Sequence, residues 1–253
     1  MTSTPAPSPR YRRVLLKVSG AAVAGSEGTG LSSEALDHIA SQILAVRDLG
    51  IEVAVVMGGG NIFRGNVAEE WGIERVEADQ IGMLGTVINS LFLRGVLTAK
   101  SDHDVRVMTA LPMSNFAEPY IRLRAIHHLE RGALVVLACG IGQPFVTTDY
   151  SCVQRALETR SDAILLAKHG VDGVYEADPR LDPDARRFER MTYQDAIDKD
   201  LRVMDQSAFI LARDYGAPMH VFDFDTADAM VAICRGEDVG TYIAPDAVTT
   251  FSS

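Results

Sequence analysis

At 253 residues, with 47% apolar and 23% charged positions, the chain has the composition of a folded globular protein, which excludes a disordered or collagen-like one. Its 34 acidic against 24 basic side chains give a net charge of −10, which argues against bulk binding to a nucleic-acid backbone or an anionic membrane surface but not against a small anionic ligand. No uninterrupted run approaches the roughly 18 apolar residues of a membrane helix, and three scattered cysteines, Cys139, Cys152 and Cys234, with no C-x-x-C pair, suit a reduced cytoplasmic protein.

Residues 1–12 are rich in Pro and Ser, lack an apolar core, and read as a disordered leader. "RVLLKVS" (13–19) is an apolar strand, followed by a helix within 30–50 that Ser32 or Ser33 caps and Gly50 stops. The alternation then repeats: strand 51–57, a long helix 79–99 apolar nearly all round, strand 104–110, helix 120–132, strand 133–140, helix 151–160 and strand 162–168. Fully apolar strands separated by helices predict an α/β fold, a three-layer sandwich whose mainly parallel central sheet is covered by helices on both faces. Gly173, Pro179 and Pro183 break the pattern and predict a hairpin excursion over 171–191. Beyond it come a helix that Thr192 caps with Asp195, a helix from Asp205, strand 218–224, helix 226–236 and a final edge strand 240–244. No linker interrupts residues 13–246, which read as a single two-lobed domain with 247–253 as a tail.

Chemistry concentrates at the strand ends. In "VMGGGNIFRG" (56–65), Gly58, Gly59 and Gly60 are expected to reach positive φ and let an anion approach bare amides, while Arg64 offers a fork matched to phosphate oxygens. The alternative is a tight turn with a surface arginine. The pattern is neither G-x-G-x-x-G nor G-x-x-x-x-G-K-[ST], so dinucleotide and P-loop sites are not supported. "LLKVSG" puts Lys17, Ser19 and Gly20 at the carboxyl edge of the first strand, where open α/β sheets bind ligands. "GIGQPFVTTD" (140–149) again combines glycines with hydroxyls after a buried strand, though Thr148 or Asp149 would also serve as a plain helix cap, as would Asp205 for its own helix.

Taken together, "LLKVSG", "GGGNIFRG", "DQIGMLGTVINSL", "GIGQPFVTTD", "VDGVYEADP" and "LRVMDQSAF", in this order from about Arg13 to Ala244, resemble the amino-acid kinase family, in its branch of bacterial kinases that phosphorylate UMP with ATP. The resemblance implies an acceptor-binding N-terminal lobe and an ATP-binding C-terminal lobe. It implies catalytic roles for Lys17, Arg64, Asp149 and Asp205. ATP contacts would come from Lys17, Val18, Ser19, Gly20, Gly60, Arg64, Lys168, His169, Tyr175 and Asp178. UMP contacts would come from Gly59, Asp79, Ile141, Gly142, Gln143, Pro144, Phe145, Val146, Thr147 and Thr148. Mg²⁺ would ride mainly on the nucleotide phosphates, with no dedicated protein ligands. The acceptor phosphate is already an anionic nucleophile, so no general base is needed.

The resemblance further implies a homohexamer with GTP as activator and UTP as inhibitor, and makes Gly25, Ser26, Glu27, Gly28, Thr29 and Gly30 an effector loop, against the plainer reading of a flexible loop ahead of the Ser-capped helix. Ala21, Gln80, His169, Asp223 and Asp225 depart from the family pattern and leave open another pyrimidine nucleotide or small acceptor. A non-catalytic nucleotide-binding module of the same fold is the third reading. It is disfavoured by the retention of Lys17, Arg64 and Asp149.

Overall fold

The computed structural model describes residues 8–25, 28–63, 68, 70–201 and 203–252. In chain order the elements are β1 (Arg13–Val18), α1 (Gly20–Ala24), α2 (Ser33–Asp48), β2 (Glu52–Met57), α3 (Arg75–Lys100), β3 (Val105–Thr109), β4 (Glu118–Pro119), α4 (Arg122–Glu130), β5 (Leu134–Ala138), α5 (Thr148–Thr159), β6 (Ala163–Lys168), β7 (Val174–Tyr175), β8 (Arg187–Met191), α6 (Tyr193–Asp198), α7 (Gln206–Tyr215), β9 (Met219–Asp223), α8 (Ala229–Arg235), β10 (Thr241–Ile243) and β11 (Thr250–Phe251). The strands join one sheet in the order β11-β8-β10-β9-β6-β1-β2-β5-β3-β4, with β7 on β8. From β9 through β6, β1, β2, β5 and β3 to β4 the pairing is parallel throughout.

The period of two along each buried strand divides the core into two layers. Val14, Leu16 and Val18 of β1 pack with α1, α2, α3 and α8 on one face. Leu15 of β1 and Ile164 and Leu166 of β6 pack with α4, α5, α6 and α7 on the other. The same parity sends Lys17 and Lys168 to the α5 side of the sheet, at the carboxyl ends of two hydrogen-bonded strands. Helix starts follow from side-chain caps: Ser32 accepts from Ala35, and Thr192 accepts from Asp195 while donating to its carboxylate.

Several expectations need correction. Residues 10–12 are not leader: the Arg10 amide donates to Cys234 O, and buried Tyr11 bonds His220 through its hydroxyl at 2.7 Å. Helix α3 begins at Arg75, four residues ahead of the predicted start, and α5 begins at Thr148, capped by Thr147 and not by Thr148 or Asp149. By length and composition α3 could cross a membrane, yet it lies against β2, β3, β5 and α2, with polar Asn89 and Ser90 fully buried. Strand 241–243 is interior to the sheet, because β8 and then β11 lie beyond it, and β11 falls inside the supposed tail.

Candidate active site

Three loops meet at the carboxyl edge of the sheet. None of Gly58, Gly59 and Gly60 has positive φ; what demands glycine at two of them is proximity. A Cβ on Gly58 would sit 2.8 Å from the Gly20 amide nitrogen, and one on Gly59 only 2.5 Å from Gly82 O of α3. Gly20 is constrained likewise, its Cβ falling 2.5 Å from the Gly60 nitrogen, whereas a Cβ on Gly60 would meet nothing within 4 Å. The glycine loop is fixed to α3 by two buried amides: Asn89 donates to Gly58 O at 2.7 Å and to Asn61 Oδ1 at 2.7 Å, and Asn61 donates to Gly30 O at 2.6 Å. Backbone segments from the ends of β1 and β2 therefore meet closely on a rigid support.

Beside them Lys17, only 8% exposed, places its ammonium 2.7 Å from Asp149 Oδ1 in the first turn of α5. Burial pushes the Asp149 carboxyl up, but Lys17, Lys168 and the Asp205 amide together hold it below the usual carboxylate range. Lys168, whose ammonium donates to Val203 O, is pushed down by burial and by the neighbouring Lys17 charge, with Asp149 opposing. Asp205 caps α7 through the Ser207 amide, accepts from the Thr147 hydroxyl at 3.1 Å and donates its own amide to Asp149 at 3.4 Å. Its cap role and its place at this junction are both real.

On one side of the junction opens a cavity of ≈540 Å³ lined by Lys17, Ser19, Gly20, Gly58–Gly60, Asp79, Ile141, Gln143 and Val146–Thr148. Asp79 closes one wall, taking Arg75 Nε at 2.9 Å on one carboxylate oxygen and the Phe145 amide at 2.7 Å on the other. Phe145 holds φ +64° and is 66% exposed. On the other side, a cavity of ≈590 Å³ is lined by Lys168, Gly173, Tyr175, Asp178 and Leu201. Two hollows of nucleotide size therefore flank a cluster of two ammonium groups and a carboxylate.

The profile of the Amino acid kinase family matches residues 12–223. The chain belongs to that family. It is 63% identical to the uridylate kinase of Frankia alni over 234 residues, 92% of this chain and 91% of that protein. Among solved structures, the UMP kinase of Bacillus anthracis superposes with a TM-score of 0.94 at 56% identity, covering 96% of this chain and 99% of that one. The UMP kinase of Ureaplasma parvum superposes at 0.87 and 31% identity, over 93% and 99% of the two chains.

Within this amino acid kinase, most of the residues picked from sequence line the two cavities, whereas Gly142, Pro144, Phe145, Asp149 and Asp205 line neither and Val18 packs into the core on the opposite sheet face. Arg64, Ser26 and Glu27 lie outside the described residues. His169 turns to the opposite sheet face from Lys168, pairing with Asp225 at 2.7 Å in a separate hollow of ≈450 Å³ beside α2 that Gly25 also lines. Gly30 donates its amide to Asn61 O and accepts from the Asn61 side chain, so this part of the presumed effector loop braces the glycine loop. Asp178 and Tyr175 line the second cavity, with Asp178 chelated by Arg180 and Tyr175 donating to Asp172 at 2.6 Å. Sequence reasoning missed Arg75, Met83, Thr86 and Cys139 in the first cavity. Arg75 stands four residues before Asp79, a spacing that places the two on one helix face and could have revealed it.

Proposed function

We propose that the protein transfers the γ-phosphoryl group of ATP to the phosphate of UMP, giving UDP and ADP. One observation carries the reading: Lys17, Asp149 and Lys168 stand where two nucleotide-sized cavities approach each other, one walled by Asp79 and the 140–148 loop, the other by Tyr175 and Asp178. A UMP phosphate oxygen attacks the γ-phosphorus as the bond to the β-phosphate oxygen breaks, with no proton to remove. Lys17 neutralises charge on the moving group, and Asp149 holds that ammonium in place. Asp205 supports Asp149, Gly20 and Gly60 approach the donor phosphates, and Asp79 accepts from the ribose hydroxyls. Arg64 supplies the second cation on the strength of the "NIFRG" motif. Among the described residues no three potential ligands gather to hold a metal. In this reading Mg²⁺ would ride on the nucleotide phosphates and shield their charge.

A coupled ADP-release assay with UMP, CMP, dUMP and no acceptor tests this. Turnover with UMP supports it, turnover with a different acceptor alone replaces it with a paralogue, and tight nucleotide binding without turnover makes the chain a binding module. The same reading extends to a cytoplasmic homohexamer activated by GTP and inhibited by UTP. Leu84, Ile88 and Phe92, exposed at four-residue spacing on α3, support self-association. Sedimentation of the pure protein and titration of each nucleotide into the assay test those extensions.

A further inference from the structure

Arg155 of α5 is a buried charge, 6% exposed, that the proposed chemistry leaves unused. Its guanidinium lies 3.7 Å from the centre of the Tyr120 ring, bonds Glu158 at 2.5 Å through Nη1, and donates from Nη2 to Gly140 O at 3.0 Å. Glu158 is fully engaged as well, accepting from the Tyr120 hydroxyl at 2.7 Å and from Gln154 at 2.9 Å. A stacked, charge-balanced guanidinium has little freedom, so the single donor it spends on Gly140 is a fixed point.

Gly140 is where strand β5 turns into the loop that walls the first cavity. The turn is unusual: Cys139 and Gly140 are consecutive left-handed residues at φ +62° and +53°, closed by the Gly142 amide on Cys139 O at 2.8 Å. A non-glycine residue in that region persists only when its surroundings hold it. At the far end the loop is fastened by Thr147, the cap of the same helix, and by Ser151 donating to Thr148 O at 3.0 Å. Helix α5 thus grips the loop at both ends, at Thr147 from its own start and at Gly140 from Arg155.

We infer that Arg155 is a positioning residue that sets the entry of the 140–147 loop and thereby tunes affinity for the acceptor nucleotide, without touching the donor. The acceptor half of this statement rests on the proposed function. The test compares Arg155→Met and Arg155→Lys with Glu158→Gln, measuring steady-state constants for UMP and ATP, the thermal midpoint, and amide hydrogen exchange of the 140–147 loop in the free enzyme. Arg155→Met is expected to raise KM for UMP about tenfold while changing kcat and KM for ATP by less than about threefold. Loop exchange should quicken ahead of strand β5. Arg155→Lys, keeping charge but losing the fork, should fall between, and it carries the test if the methionine variant fails to fold. Glu158→Gln, which leaves the Gly140 bond in place, should lower the midpoint without raising KM for UMP. An unchanged KM for UMP, or equal losses for both nucleotides that track the midpoint across all three variants, would overturn the assignment. If the wild-type enzyme does not phosphorylate UMP, the proposed function fails, while the exchange measurement still decides whether Arg155 holds the loop.

Discussion

Replacing Asp149 with asparagine probes the centre of the site at nearly constant shape. The gross attraction across the 2.7 Å contact with Lys17 is about 6 kcal/mol at an effective dielectric near 20, and desolvation of the two ions offsets most of it. Removal of one partner is worse than the net value of the pair, because Lys17 stays buried with Lys168 nearby and no counter-charge; a loss of about 3–5 kcal/mol is expected. Asparagine cannot satisfy both neighbours: with its oxygen toward Lys17 its amide group faces the Asp205 N–H, and the flipped form points a donor at the ammonium. The pH dependence is a sharper check. The Asp149 pKa is depressed in the fold, so its stabilising contribution is full above its unfolded pKa near 4 and disappears as pH falls through the lower folded value. Urea titrations at neutral pH and in steps down to about pH 3 should show wild type and variant converging in acid. ATP should stabilise the variant more than the wild type, since its phosphates restore the missing negative charge. A gap below about 1 kcal/mol at neutral pH, or one that persists unchanged into acid, refutes the reasoning.

Gly59→Ala should cost about 1–3 kcal/mol, read as a midpoint several degrees lower, because the new methyl meets the backbone of α3 and no side chain can give way. Gly60→Ala has open space and should leave the midpoint unchanged while raising KM for ATP, which steady-state kinetics will decide. Asp79→Asn should raise KM for UMP about tenfold, the scale of one charge-assisted hydrogen bond, with a smaller effect on dUMP if the 2′-hydroxyl is what it reads. Burial, with Arg10 and Arg190, pushes His220 down to about 3, so the fold loses stability as pH falls from the unfolded value near 6.5 toward that point. His220→Gln should flatten the stability curve over that window, and an unchanged curve would mean that the ring is not held neutral by the fold.

Much of this was legible because short-range rules govern it. The period of two in "VLLKV" assigns Lys17 to a face, and Ser32 and Thr192–Asp195 announce their helices. The misses have equally physical causes. Tyr11 is held by His220, 209 positions away, and no local pattern encodes such a contact. Strands β4 and β11 have two residues each, too few for periodicity. His169 follows Lys168 at the end of a strand, so the alternation that aims one at the cavity turns the other away.

The glycines are the instructive case, because the run marks a crowded junction without any of Gly58, Gly59 and Gly60 taking positive φ. Positive φ is one expected reason for the run, beside close approach of an anion, yet Gly20, Gly58 and Gly59 are small because three backbone segments pack against one another there. That packing brings the loops after β1 and β2 together against α3, with the Asn61 and Asn89 side chains bonded across it. If the glycine loop takes the donor phosphates as proposed, packing and phosphate contact coincide at Gly20, Gly58 and Gly59, and a side chain there cannot weaken one without the other. Only at Gly60, where a Cβ would meet nothing within 4 Å, do the two separate, which is why the pair Gly59→Ala and Gly60→Ala discriminates a glycine required by packing from one kept bare for the ligand alone.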